Sequence, residues 1–184
     1  MNNNERWITG YEQVREEVEQ LLNGLSVAQW TWPPSPKSWP IARCINHINT
    51  VNGLVLPRVE AAIRQGQEQG LRSAGPFRYP LFDRLFVYGL EPRAPVKSQS
   101  PGIYRPEEEP EYESTRRQFA EYQARLIACV RAADGLDLVK IKIPSPVSDR
   151  LRFSLGTWLD AMLAHEQNHL QQAQRVRENS AFPG

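Results

Sequence analysis

Four stretches of the 184-residue chain set apolar residues at alternating steps of three and four, and that spacing commits most of it to amphipathic helix. The first carries Trp7, Tyr11, Val14, Val18, Leu21 and Leu25 among Glu, Gln and Arg, and is ended near Asn23-Gly24. Trp39-Pro40 opens the second, proline being tolerated in a first helical turn because its missing N–H has no partner there. Ile41, Cys44, Ile45, Ile48, Val51, Val55 and Val59 carry that helix to about Arg64. Tyr112, Thr115, Phe119, Tyr122, Leu126, Cys129 and Ala133 make the third, closed by Asp134-Gly135. Ser154 is placed to cap the fourth, whose inward set is Leu155, Trp158, Leu159, Met162, His165, His169, Ala173 and Val176. Together they predict an all-α four-helix bundle in a single domain spanning 1–184.

The stretches between are less regular. Residues 26–38 hold three prolines with Trp30 and Trp32, an ordered connector whose indoles pack onto the helices. Pro57 removes a hydrogen bond to the Gly53 carbonyl and predicts a kink or break in the second helix. Segment 65–110 is a long irregular link with Gly66, Gly70 and Gly75, an aromatic block (Phe77, Tyr79, Phe82, Phe86, Tyr88) and five prolines from Pro92 to Pro110. A helical turn or two is expected around Leu81 to Tyr88, and part of the link is expected to lie over one end of the bundle as a wall or lid. Val139, Ile141 and Ile143 alternate with Lys140 and Lys142 before Pro144 and Pro146, an edge strand or an extended linker.

Charge excludes one class of partner. Lys and Arg are matched by Asp and Glu to a net charge of +1, which gives no footprint for nucleic acid. No apolar run is long enough to span a bilayer, and the first residues resemble no export signal, so a cytoplasmic protein is expected. In that reducing setting Cys44 and Cys129 read as two buried thiols.

All three histidines fall on inward stripes. His165 and His169, four apart, present two imidazoles to one point, and with Glu166 they form the pattern His-Glu-x-x-His. His47, three residues after Cys44 and four before Val51, faces a neighbouring helix. Three imidazoles offer nitrogen to a divalent ion and leave a position open for water or substrate. Zinc or nickel is favoured, and iron and manganese are also accepted. Glu166, one residue from a ligand, is the candidate catalytic carboxylate or else a solvated helix residue. Cys44 offers a soft fourth ligand or a buried thiol, while Arg43, Arg58 and Arg84 are arginines able to hold a carboxylate, none of them assigned.

Trp39 followed by His47, then a terminal His165-Glu166-x-x-His169-x-x-Gln172, resembles the DinB-like superfamily over nearly the full length. The resemblance implies an up-down-down-up bundle, a divalent ion held by His47, His165 and His169 near one end, and a homodimer. Pro40 departs from it, standing where a Ser or Thr cap is usual. The family is functionally mixed, and includes transferases of thiols such as bacillithiol and the related mycothiol-dependent maleylpyruvate isomerase. The function it implies is that of a metal-dependent S-transferase acting with a low-molecular-weight thiol on a small-molecule substrate. The alternative is a non-catalytic, stress-related binding or dimerisation module with a structural or vestigial metal. A His-Glu-x-x-His metallohydrolase ranks below both, because after His169 the chain offers Glu178 as its one acidic residue and no further histidine.

Overall fold

The computed structural model describes residues 3–94 and 101–184, most of them helical. In chain order the helices are α1 (Asn3–Leu22), α2 (Val27–Thr31), α3 (Ile41–Glu68), α4 (Leu81–Leu90), α5 (Tyr112–Ala132) and α6 (Leu155–Arg177). A two-stranded hairpin, β1 (Lys142–Ser145) and β2 (Ser148–Ser154), precedes α6. The four long helices are those the periodicity marks out. Residues 95–100 of the expected link, Pro95 among them, lie outside the described residues.

One core joins the long helices. Trp7, Tyr11 and Val18 of α1, Ile45 and Ile48 of α3, Phe119 and Leu126 of α5, and Leu159 and Ala173 of α6 are fully buried in it. Each large side chain removed from water there contributes about 1.5–3 kcal/mol. The aromatic ones keep their polar tips satisfied: Tyr11 Oη donates to the Leu159 carbonyl at 2.9 Å and Trp7 Nε1 to Asp160 at 2.7 Å. α3 packs against α5 and α6, and α1 packs against the same two. Side-chain pairs give the directions. Asn49 with Thr115 and Gln67 with Ala132 make α3 and α5 parallel, whereas Trp7 with Asp160 and Arg177 with Gln20 make α1 and α6 parallel.

Three expectations are corrected. The chain is not purely helical, because the hairpin pairs Ile143 opposite Phe153, while Val139 and Lys140 belong to the turn before it. Phe153 is buried and stacks on Phe86 of α4, with ring centroids 4.1 Å apart, so tertiary packing stabilises a strand whose residues are mostly polar. Pro57 does not break α3, which is continuous from Ile41 to Glu68. Val55, Leu56, Val59 and Ile63 are buried on both sides of the proline, and their packing offsets the lost hydrogen bond. The turn or two expected at Leu81 to Tyr88 is a ten-residue helix.

α4 is fastened to the start of α6. Ser154 caps α6 as expected, and Asp83 Oδ2 of α4 accepts from Ser154 Oγ at 2.9 Å and Thr157 Oγ1 at 2.7 Å. A carboxylate at a helix N-terminus meets the positive end of the backbone dipole, and each buried donor left without it would cost about 1–3 kcal/mol. Both connector indoles pack as expected: Trp30 is buried and donates to the Pro110 carbonyl at 2.9 Å, and Trp32 meets Phe182 edge-on. α2, which the sequence reading leaves as connector, is held by a capping box of Ser26 and Gln29. No described helix is long and apolar enough to cross a membrane.

Candidate metal centre

The α3–α6 contact brings the three histidines together. His47 comes from α3, and His165 and His169 stand one turn apart on α6. Ring centroids are 5.0 Å apart for His47 and His165, 4.4 Å for His47 and His169, and 4.5 Å for His165 and His169. One ligand atom from each lies within 4.8 Å of the other two.

Hydrogen bonds set which nitrogens are free. His47 Nδ1 donates to the Tyr104 carbonyl at 2.6 Å, and His169 Nδ1 donates to Gln172 Oε1 at 3.0 Å. Those oxygens can only accept, so Nδ1 carries the proton on both rings and Nε2 carries the lone pair. An outer oxygen on the far nitrogen is how metal-ligating imidazoles are oriented. His165 Nε2 lies 3.1 Å from His47 Nε2, while its buried Nδ1 has no partner among the described residues.

Charge is arranged to match. Burial holds His47 below its ordinary pKa against the opposing pull of the Tyr104 carbonyl. Burial, then the neighbouring His169 and His47, hold His165 well below, and burial with His47 takes His169 down to about 3. All three imidazoles are therefore neutral near pH 7, the state in which nitrogen can ligate. Two nitrogens bound to one tetrahedral ion at 2.0–2.1 Å stand ~3.3 Å apart, close to the spacing of His47 and His165. Neutral nitrogen donors suit zinc, nickel, iron or manganese and not the oxygen-seeking calcium. The residues fit a divalent transition ion.

Trp39 walls the cluster. Its ring centroid is 5.1 Å from that of His47, and it stacks on His169 at 5.9 Å with planes 24° apart. The link after α4 also reaches the site, since Tyr104 lies on a single 3-10 turn (Gly102–Tyr104), and Glu107 N donates to Asn46 Oδ1 of α3 at 2.9 Å.

Glu166 is fully buried, which overturns the solvated reading of this residue. Gln123 Nε2 of α5 donates to both of its oxygens at 3.0 Å, and Asn52 Nδ2 of α3 donates at 2.7 Å. Burial pushes its carboxyl up to about 7 despite those two amides. Cys44 and Cys129 are free and buried, with thiols pushed up to about 12 by burial, and the ligand cluster is made of histidines without Cys44.

A family model described as the DinB superfamily matches residues 11–173, a span holding all three histidines. The chain belongs to the DinB superfamily. No curated protein and no solved structure matched it in the same comparisons.

In this DinB chain the sequence reading overlooks three participants. The Tyr104 carbonyl is backbone, so no residue type announces it. Asn52 and Gln123 do leave a trace: Asn46, Asn49 and Asn52 repeat every three residues along the buried face of α3, and Gln123 follows Phe119 into the core. Buried amides in such rows call for buried partners.

Proposed function

We propose that this DinB protein holds a divalent transition ion on His47, His165 and His169 and acts as a metal-dependent S-transferase of low-molecular-weight thiols. The observation that carries the reading is three neutral imidazoles converging within 4.8 Å, two with the outer nitrogen fixed on an oxygen acceptor. An ion bound there supplies Lewis acidity that lowers the pKa of a coordinated thiol. The residues do the rest: Tyr104 and Gln172 hold two rings in the ligating tautomer, and Trp39 packs against His47 and His169. Glu166, the buried carboxylate beside His165, is assigned the proton. The helix directions support an up-down-down-up bundle for the single domain 1–184, and two free thiols suit a reducing cytoplasm.

Zinc- or nickel-loaded protein is expected to speed alkylation of a small thiol by a chromogenic electrophile, with no acceleration in metal-free protein. Glu166→Gln should keep its ion and lower kcat on the order of a hundredfold. The amide is accommodated because Asn52 Oδ1 and Gln123 Oε1 have no donors of their own among the described residues. An unchanged kcat would remove the proton-handling role, and absence of any metal-dependent acceleration would remove the transferase. That second outcome, with a bound ion, would leave a non-catalytic module. A homodimer is part of the proposal, supported by the exposed apolar residues Leu81, Phe82 and Leu85 of α4. Light scattering should give twice the 21.1 kDa chain mass, and the mass of one chain would refute it.

A further inference from the structure

We propose that Arg43 recognises a carboxylate on the small molecule that enters the histidine cluster, which makes the substrate an acidic one; this rests on the thiol-transferase reading above. Arg43 lies four residues before His47 on α3, and so on the same face one turn nearer the helix start. Its guanidinium sits over the Trp39 ring, 5.6 Å from the centroid, and Trp39 in turn stacks on His169. Trp39, Arg43, His169 and Gln172 are half-buried, whereas His47 and His165 are buried. The partly exposed group marks the side from which solvent, and a ligand, reaches the cluster.

Beyond the Trp39 ring, Arg43 has no ion-pair partner among the described residues, and its Nε–H is buried with no acceptor. The other two arginines raised by the sequence differ. Arg58 Nη1 is spent on the Leu54 carbonyl at 2.6 Å, and Arg84 lies on α4, away from the cluster. Arg175 of α6 adds a second positive charge, near enough, like Arg43, to act on Cys44. A guanidinium beside an indole offers a planar fork of donors that fits a carboxylate through two parallel hydrogen bonds. The pairing is worth most where one donor is already out of water.

The test uses cobalt(II)-loaded full-length protein and three probes: mercaptopropionate, the uncharged mercaptopropanol, and propionate. Thiol binding is read from the sulfur-to-cobalt charge-transfer band, and propionate binding by calorimetry. Wild type is expected to bind mercaptopropionate on the order of tenfold tighter than mercaptopropanol, and Arg43→Gln to bind the two equally with its cobalt content unchanged. An equal preference in wild type and variant overturns the role of Arg43. If neither thiol gives the band, the transferase reading fails alone: propionate binding that Arg43→Gln abolishes would still uphold the carboxylate site, and no propionate binding would overturn it too. Should Arg43→Gln not fold, Arg43→Lys decides on the same readout. A preference cut at least threefold, on the order expected when the fork is lost and the charge kept, supports the assignment, and an undiminished one overturns it.

Discussion

His165→Ala is expected to release the ion altogether. Removing one of three nitrogen donors leaves two, and affinity should fall by ~100-fold or more, since loss of even an outer hydrogen-bond partner costs 10–100-fold. Elemental analysis should find about one transition-metal ion per wild-type chain and none in the variant. Stability gives a second reading. An ion at a hundred times its dissociation constant stabilises by about 2.7 kcal/mol, which for a chain of this size raises Tm by roughly 5–11 °C. The wild type should show that rise on adding zinc and His165→Ala should not. A variant that keeps its ion would break the three-histidine assignment, and a variant that loses the helical circular dichroism with the ion would turn it into a structural brace.

Acid should unfold the metal-free protein well before ordinary acid denaturation. The three histidines have folded pKa values below the ordinary 6.5, so the unfolded chain binds more protons once pH drops under 6.5, and stability is lost as pH falls. Glu166 works the other way. Its pKa is raised from 4.5 to about 7, so its contribution is whole below pH 4.5 and lost as pH rises through 7. The imidazoles that refuse a proton in the fold outnumber the one carboxyl that keeps it, so the net effect is a loss of stability as pH falls below 6.5. Urea midpoints taken from pH 7.5 to 4.5 measure the slope. A flat profile would mean that the imidazoles are charged in the fold and that the neutral-ligand argument fails. Glu166→Gln removes the opposing contribution and should make the decline steeper.

How far the sequence anticipated this depended on whether a feature repeats. Trp7 to Leu21, Tyr112 to Ala133 and Leu155 to Val176 repeat a helical spacing over about four to six turns, and each corresponds to a helix. His47, His165 and His169 were legible for the same reason: they interrupt apolar stripes, and a stripe can only face a neighbour. Of the hairpin, Ile143 was legible as one of two readings, an edge strand, but its partner strand was not, because Leu151 and Phe153 supply only one alternation among charged residues, and Phe153 gains its partner Phe86 from a helix far away in the chain. Pro57 does not break α3 because the burial of the residues around it outweighs one lost hydrogen bond. The setting of Glu166 depended on Asn52 and Gln123, which reach it from two other helices. Such convergence is a property of packing and leaves only the bare presence of buried amides in the sequence.

The contact between Tyr104 and His47 bears on how such a protein can diversify. What orients the imidazole is a carbonyl oxygen, which every amino acid carries, so substitution at position 104 leaves that bond in place as long as the turn keeps its course. The side chains of the link are thereby free to drift, while the His47 ring beneath them stays aimed. A lineage built this way can rewrite one loop without disturbing the ring that the loop orients.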